Sequence, residues 1–261
     1  MASDPVSFKG VILRSSEFKD KDRLVKVITP DRGVVEFCAK GTGKQGSRFS
    51  FISMPYMLCD IVITESHGFY YLKDASIIES NAEIMKDLDA MMTASHMASC
   101  LIDCTTTDVS RELYELAVYA FYSLSVNIEK ARLIYSAFNW RLLVLLGFAS
   151  EYDRCTSCGE KIDEKSENKY KIKLGGGYVI CSKCISSGYK TDGYRFLPAR
   201  VMISLNFFAS MPLNQIFSVR CDSKLQADLC DYTREFLSVM FEKDYKDPFS
   251  SLSYPPVLGI K

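Results

Sequence analysis

Two closely spaced cysteine pairs constrain the fold of this chain more than any other feature of its sequence. Cys155 and Cys158 form the first pair, Cys181 and Cys184 form the second, and 22 residues lie between the pairs. A Cys-x-x-Cys turn brings two thiolates together, and a second pair completes the tetrahedron that a structural Zn²⁺ requires. Four sulfur ligands leave no position for water, so the pattern predicts a metal that stabilises the fold.

Glycines around the two pairs agree with a metal knuckle. Gly159 follows the first pair, and the all-glycine run 175–177 precedes the second. Glycine adopts the positive φ values of tight turns without steric cost. Two other interpretations of the four thiols stay open: a dithiol–disulfide redox centre, or reduced cysteines in a protein core.

The other six cysteines lie in apolar stretches without the spacing of a disulfide framework: Cys38, Cys59, Cys100, Cys104, Cys221 and Cys230. Their positions indicate that the thiols are reduced and lie in the core, as is typical of proteins in a reducing compartment. The first residues lack the basic and apolar regions of a signal peptide, and the longest apolar run, 142–148, is too short to cross a bilayer. We therefore expect a cytoplasmic protein with no membrane contact.

Positive charge is concentrated in two blocks, although the net charge of the chain is zero. Residues 9–48 carry ten basic and five acidic side chains, and residues 155–200 carry nine and five. Clustered Lys and Arg are typical of polyanion binding, whereas either block alone is also compatible with an ordinary charged surface. Four thiolates with one Zn²⁺ lower the effective surplus of the second block to about two charges.

The first 80 residues have the alternation of apolar and polar side chains that is typical of β-strands. Five strands are predicted, at 6–15, 23–29, 33–40, 56–64 and 69–78. Strands of this number and spacing fit a small OB-like β-barrel, and a five-stranded SH3-like barrel is the competing architecture.

Helical periodicity follows the predicted barrel. Helices are predicted at 83–104, after an Asp108 cap, and at 129–148, 198–210 and 224–242. We expect the aromatic residues of the first three helices to lie in a core: Tyr114, Tyr119, Phe121, Tyr122, Tyr135 and Phe138. The fold class is therefore α+β and multidomain, with an irregular tail after residue 245. The predicted domains are an OB domain (1–80), a helical bundle in two parts (81–150 and 201–261) and an inserted four-cysteine zinc knuckle (151–200).

A glycine-rich basic loop, residues 40–48, separates the third and fourth predicted strands. It lacks the Gly-x-x-x-x-Gly-Lys-[Ser/Thr] spacing of a nucleotide-binding loop, and no helix follows it at once, so nucleotide hydrolysis is rejected. The loop either offers Lys40, Lys44 and Arg48 to a nucleic-acid backbone or is an ordinary solvated loop.

The order of these parts resembles the RecO family of bacterial DNA repair proteins, over most of the chain. The matching segments are residues 10–13, Glu17-Phe18, residues 24–29, Gly33, Ala39-Lys40-Gly41, Ser47-Arg48, residues 141–147, Cys155-x-x-Cys158-Gly159, Gly175-Gly176 and Cys181-x-x-Cys184. Each segment is a weak signal alone, but their shared order and spacing argue against chance. The family usually has a denser basic cluster after Ala-Lys-Gly, so Thr42-Gly43-Lys44 implies weaker DNA affinity or greater dependence on a partner.

The resemblance implies a DNA-binding recombination mediator of the RecFOR pathway, associated with the nucleoid, and not an enzyme. Such proteins bind single- and double-stranded DNA and anneal strands coated by single-strand-binding protein. With RecR they help to load RecA during gap and break repair. The two histidines, His67 and His96, have no obvious catalytic partners, and the sequence has no nucleophilic triad or paired catalytic carboxylates.

Candidate DNA contacts are the basic residues of the barrel region: Lys9, Arg14, Lys19, Lys21, Arg23, Lys26, Lys40, Lys44 and Arg48. Lys26 alternates with apolar Val25 and Val27, so it is expected to point outward from its strand. Phe18 and Phe49 are candidates either for stacking on bases or for the core.

Two rival functions remain open. A nucleic-acid-modifying zinc enzyme would need an open metal position or a nucleotide loop, and the sequence shows neither. A zinc-stabilised interaction scaffold with incidental DNA contact is the stronger alternative. The acidic C-terminal tail of single-strand-binding protein would suit an apolar groove rimmed by arginines, for which Arg132, Arg141 and Arg220 are available.

Overall fold

The computed structural model describes residues 4–44, 46–104, 111–149, 152–162 and 169–249. These residues form two compact units, one ending at Ala131 and the other beginning at Arg132. The four predicted domains divide the chain more finely than this and remain predictions. Two predicted features lie outside the described residues: the Asp108 helix cap and the end of the tail, from residue 250 onward.

Five strands close into a barrel in the first unit, which confirms the predicted OB-like fold. They are β1 (Val6–Phe18), β2 (Asp22–Thr29), β3 (Gly33–Ala39), β4 (Leu58–Ser66) and β5 (Phe69–Glu79). Their order around the barrel is β1-β2-β3-β5-β4, and β4 pairs with β1 to close it. β3 and β5 are parallel where Cys38 pairs with Tyr71, while the other neighbouring strands are antiparallel. A closed barrel of five strands is the architecture of the OB fold.

Apolar side chains fill the barrel because successive residues of a strand point to opposite faces of the sheet. Val25 and Val27 of β2, Phe37 of β3 and Ile61 of β4 are buried in this interior. Gly10 of β1 lies against the same layer, and a Cβ on Gly10 would be only 2.2 Å from Cγ1 of Val27. β1 and β2 therefore approach at a distance that only glycine permits.

Helices complete the first unit and form about half of the described part of the second. They are α1 (Leu88–Asp103), α2 (Arg111–Val126), α3 (Ala131–Leu145), α4 (Ser182–Ser186), α5 (Ala199–Ser210), α6 (Leu213–Ile216) and α7 (Ser223–Met240). The predicted helix over 83–104 is wrong at its start, because Ala82–Lys86 is a 3₁₀-helix that ends before α1 begins. The carboxylate of Asp87 accepts a 2.8 Å hydrogen bond from the backbone N–H of Ala90, which caps a separate helix. No described helix is long and apolar enough to span a bilayer.

Only some of the aromatic residues of α2 and α3 lie in the core. Phe121, Tyr135 and Phe138 are buried as expected, but Tyr119 and Tyr122 are 41% and 48% exposed. Both tyrosines lie on α2 outside its stripe of buried residues, so their rings face away from the packed side of the helix.

A three-stranded sheet in the second unit was not predicted from the sequence. It consists of β6 (Lys169–Lys173), β7 (Val179–Ile180) and β8 (Tyr194–Pro198), in the order β7-β6-β8. These strands are short and lie between glycine turns, so their periodicity is a weak signal. Pro198, which was predicted to begin a helix, ends β8, and α5 begins at Ala199.

Buried aromatic residues anchor the start of the cysteine-bearing segment to the helices of the second unit. Trp140 of α3 is fully buried, and its ring lies 5.5 Å from that of Tyr152 and 6.0 Å from that of Tyr232 of α7. The side chain of Asn206 in α5 accepts a hydrogen bond from the Tyr152 N–H (2.6 Å) and donates one to the Tyr152 carbonyl (2.9 Å). Cys155 follows Tyr152 by three residues, so these contacts fix the position of the chain just before the first cysteine pair.

Candidate functional site

The four predicted metal ligands lie together in the second unit. The Sγ atoms of Cys155 and Cys184 are 3.9 Å apart, those of Cys158 and Cys181 are 3.7 Å apart, and all four lie within 4.8 Å of one another. Zn–S bonds of about 2.3 Å in a tetrahedron place sulfurs about 3.8 Å apart, and a disulfide needs about 2.05 Å. The donor set therefore has the spacing of a Zn²⁺ site. It is the only group of three or more candidate ligands found among the described residues.

Backbone hydrogen bonds hold the two cysteine pairs against each other. The N–H of Thr156 donates to the Val179 carbonyl (2.7 Å), and the N–H of Val179 donates to Thr156 Oγ1 (3.0 Å). The N–H of Cys181 donates to Cys155 Sγ at 3.3 Å. Burial acts to raise the pKa of the Cys155 thiol, but hydrogen bonds from backbone N–H groups, that of Cys181 foremost, lower it to about 6. The backbone thus favours the thiolate form that binds metal.

Glycine and an ion pair shape the outside of this knuckle. Gly159 has φ +74°, and its N–H donates to the Cys155 carbonyl at 2.8 Å, which closes the first turn. Lys183 of α4 contacts Glu160 at 2.6 Å, so α4 is tied to the first pair. Cys158 is exposed and Cys155 and Cys181 are buried, so one side of the cluster faces solvent.

Four of the predicted DNA contacts are brought together at one end of the barrel. Lys19 and Lys21 lie in the turn between β1 and β2, and Lys40 and Lys44 lie in the loop after β3; all four are exposed. The Gly43 N–H donates to the Lys21 carbonyl (2.8 Å), which holds the turn and the loop against each other. Two segments that are separate in sequence therefore form one basic surface.

The other predicted contacts are more dispersed, and three of them are ion-paired. Lys9 and Arg14 are exposed on β1. The pairs are Arg23 with Glu17 (3.7 Å), Lys26 with Glu36 (3.5 Å) and Arg48 with Asp74 (2.9 Å). Lys26 lies between the buried Val25 and Val27 and points away from the barrel interior, toward Glu36. Each carboxylate lowers the positive potential around its own partner, so the three paired side chains contribute less positive potential than the four lysines at the end of the barrel.

An aromatic groove, largely missed from the sequence, adjoins the lysine cluster at Lys19 and Lys40. Its cavity of about 440 Å³ is lined by Phe18, Lys19, Leu24, Glu36, Phe37, Cys38 and residues 68–71. Phe69 is 68% exposed and Phe18 is 39% exposed. Lys40 Nζ lies 4.5 Å above the ring of Tyr71, and Lys19 Nζ lies 5.4 Å from the ring of Phe18. We call the residues that line this cavity the barrel groove.

The sequence contains one local indication of the barrel groove, a run of three aromatic residues. Phe69, Tyr70 and Tyr71 are the first residues of β5 and follow the His67-Gly68 turn directly, and the β4–β5 connection is one of the places where OB folds bind ligands. Phe18 of the groove was predicted as a possible stacking residue, whereas Phe49 packs against the barrel core beside Phe51.

The three arginines considered for an acidic tail differ in their surroundings. The guanidinium of Arg141 donates to the carbonyls of Phe208 (3.1 Å) and Met211 (3.0 Å), and so satisfies the C-terminal end of α5. Arg132 is exposed and lies 4.6 Å over the ring of Phe249, and Arg220 is exposed.

Comparison with known proteins gives the same assignment along the whole described chain. The family model for the recombination protein O N terminal matches residues 1–81, and the model for its C terminal matches residues 85–248. The DNA repair protein RecO of Clostridium acetobutylicum is 24% identical over 236 residues, which cover 90% of this chain and 92% of that protein. The DNA repair protein RecO of Bacillus pumilus is 27% identical over 218 residues, which cover 81% and 80%.

Proposed function

The chain belongs to the RecO family of DNA repair and recombination proteins, and we propose that it acts as a recombination mediator that binds DNA and anneals complementary strands. In this proposal it works with RecR to help load RecA onto DNA coated by single-strand-binding protein. It has no catalytic turnover, because annealing needs neither a nucleophile nor an acid or base. The strands supply the free energy by base pairing, and the protein lowers the repulsion between their phosphates.

The observation that carries this proposal is the position of the barrel groove at the edge of the lysine cluster, where Lys19 and Lys40 contact its rings. Loops of this barrel edge and the β2–β3 face form the oligonucleotide site of OB folds. Bases would stack on Phe18 and Phe69 while phosphates contact Lys40 and Lys44. Because phosphate contacts carry no sequence information, binding is expected to tolerate any sequence and to weaken with salt.

The cysteine cluster has a structural role in the proposal. Cys155, Cys158, Cys181 and Cys184 would hold Zn²⁺, which supplies folding free energy to the second unit when bound. The four residues pin two chain segments to each other, and the barrel lies in the other unit. Loss of the metal should therefore affect the stability of the second unit more than DNA binding by the barrel.

An annealing assay tests the proposed function. Two complementary oligonucleotides, one with a fluorophore and one with a quencher, are mixed with and without the protein. We expect faster quenching with the wild-type chain and slower quenching with a Phe69→Ala, Lys40→Ala variant of unchanged melting temperature. Quenching at the protein-free rate, together with binding to RecR, would instead favour the interaction scaffold.

A further inference from the structure

The second unit has an exposed face that combines aromatic rings and lysines. In the β6–β8 register, Lys171 lies opposite Phe196 and Lys173 lies opposite Tyr194. Alternation places these four residues on one side of the sheet, and the neighbouring Ile172 is buried on the other. Tyr178 directly precedes β7 and lies opposite Lys173, whose N–H donates to the Tyr178 carbonyl at 3.1 Å. We call Lys171, Lys173, Tyr178, Tyr194 and Phe196 the sheet face.

Two of the three rings of the sheet face are open to solvent, and the third, that of Tyr194, is half-buried. Phe196 is 56% exposed and Tyr178 is 47% exposed. Large apolar side chains grouped on a surface commonly mark a binding site. The rings of Phe196 and Tyr178 are therefore not covered by the packing of the described second unit and are free to contact a ligand.

Contacts within the face hold its rings and charges in place. Lys171 Nζ lies 4.9 Å from the Phe196 ring centre and donates a 2.7 Å hydrogen bond to Thr191. The Tyr178 ring covers the Gly176 turn so closely that a Cβ there would lie 2.7 Å from it. A preorganised ring loses little conformational entropy when a base stacks on it.

The charges of the face select an anionic ligand. Lys171 and Lys173 lie on it, and the exposed Lys190 lies in the turn before β8. Asp192, just before β8, is an opposing charge, whereas Arg195 lies opposite Ile172 on the other side of the sheet, where it pairs with Glu235. Rings interleaved with lysines are the pattern of single-stranded nucleic-acid sites, since every base has a stacking face and every nucleotide a phosphate.

We propose that the sheet face is a second binding site for single-stranded nucleic acid, separate from the barrel groove. Bases stack on Phe196 and Tyr178, and Lys171 and Lys173 contact the phosphates. A duplex is a poorer ligand, because its bases are stacked inside and present only edges. In annealing, the sheet face would hold one strand while the barrel groove holds the other. Only this role in annealing rests on the function proposed above.

Photocrosslinking of the full-length chain tests this site. A single-stranded oligonucleotide with 5-iododeoxyuridine at every third position is irradiated with the protein, and crosslinked peptides are mapped by mass spectrometry. We expect crosslinks to Phe196 or Tyr178, and we expect them to persist when Phe69→Ala removes the barrel contact. Crosslinks confined to the barrel would overturn the second site, whereas crosslinks confined to the sheet face would overturn the barrel assignment.

A matched pair of variants measures the contribution of the sheet face. Tyr178→Ala with Phe196→Ala should lower affinity for single strands at least about fivefold, the effect of losing one stacked base. Tyr119→Ala with Tyr122→Ala, which removes two exposed rings (41% and 48%) from α2, is the control and should change nothing. Equal affinities for both variants, with unchanged melting temperatures, or an equal loss of duplex and single-strand binding, would contradict the proposal.

Discussion

The backbone N–H of Gly43 donates a 2.8 Å hydrogen bond to the carbonyl of Lys21, and this contact joins the two basic segments of the barrel. A second bond, from the Gly41 N–H to the Asp22 carboxylate (2.7 Å), lies beside it. The charge of the binding surface therefore depends on backbone geometry, and not only on how many lysines the loop contains. The β1–β2 turn brings Lys19 and Lys21 to this surface together with Asp20 and Asp22, so the surface gains two lysine side chains from the turn but no net charge.

Gly43→Ala should weaken DNA binding without unfolding the barrel. A Cβ at this position would lie 3.0 Å from the Lys21 carbonyl oxygen, so the loop must move away from the turn. We expect a loss of about 1 kcal/mol in binding free energy, or about fivefold in Kd, by fluorescence anisotropy with a single-stranded oligonucleotide. A melting temperature within error of wild type is the control. Unchanged affinity would show that the two segments act independently.

Gly10→Ala should destabilise the first unit. The added methyl would overlap Cγ1 of Val27, which is buried in the barrel interior. Overpacking of this kind costs about 1–3 kcal/mol of unfolding free energy, measurable by urea denaturation. Ser7→Ala, at an exposed position of the same strand, should leave that free energy within about 0.5 kcal/mol of wild type. Equal stability of the two variants would mean that β1 and β2 are not packed as described.

Cys181→Ser should remove the bound metal and lower the melting temperature of the second unit. It deletes one of four ligands but keeps the backbone N–H that donates to Cys155 Sγ, so the effect reports the lost thiolate. Zinc content by plasma mass spectrometry should fall from about one per chain to near zero. Cys221→Ser, a half-buried cysteine outside the cluster, should retain the metal. Full zinc content in the Cys181 variant would exclude the proposed site.

Sequence patterns predicted the parts of the fold that depend on regular alternation. The five strands have one buried face each, so their period-2 signal is strong, and the Cys-x-x-Cys spacing reports a site that is local in sequence. Tyr119 and Tyr122 were placed in the core because helical periodicity alone does not say how wide the buried stripe of α2 is. The β6–β8 sheet was missed because short strands between glycine turns carry little periodicity.

The barrel groove was missed for a different reason. Phe18 and residues 69–71 are far apart in sequence and meet only because β1 and β5 belong to one closed barrel. Arg48 is a predicted DNA contact, but it pairs with Asp74, which is also distant from it in sequence. Spacing along the chain cannot reveal such pairs, whereas the strand order does.

The most direct test of the account is the salt dependence of single-strand binding by a charge-matched pair of triple variants. Fluorescence anisotropy would compare Lys21→Ala, Lys40→Ala, Lys44→Ala with a control that carries Lys161→Ala, Lys224→Ala, Lys246→Ala. Each single-strand phosphate contact contributes about 0.7 to the slope of log K against log salt. We predict a slope shallower by about two for the first variant and a wild-type slope for the control. Equal slopes for both variants, with intact melting temperatures, would contradict the assignment of DNA binding to this end of the barrel.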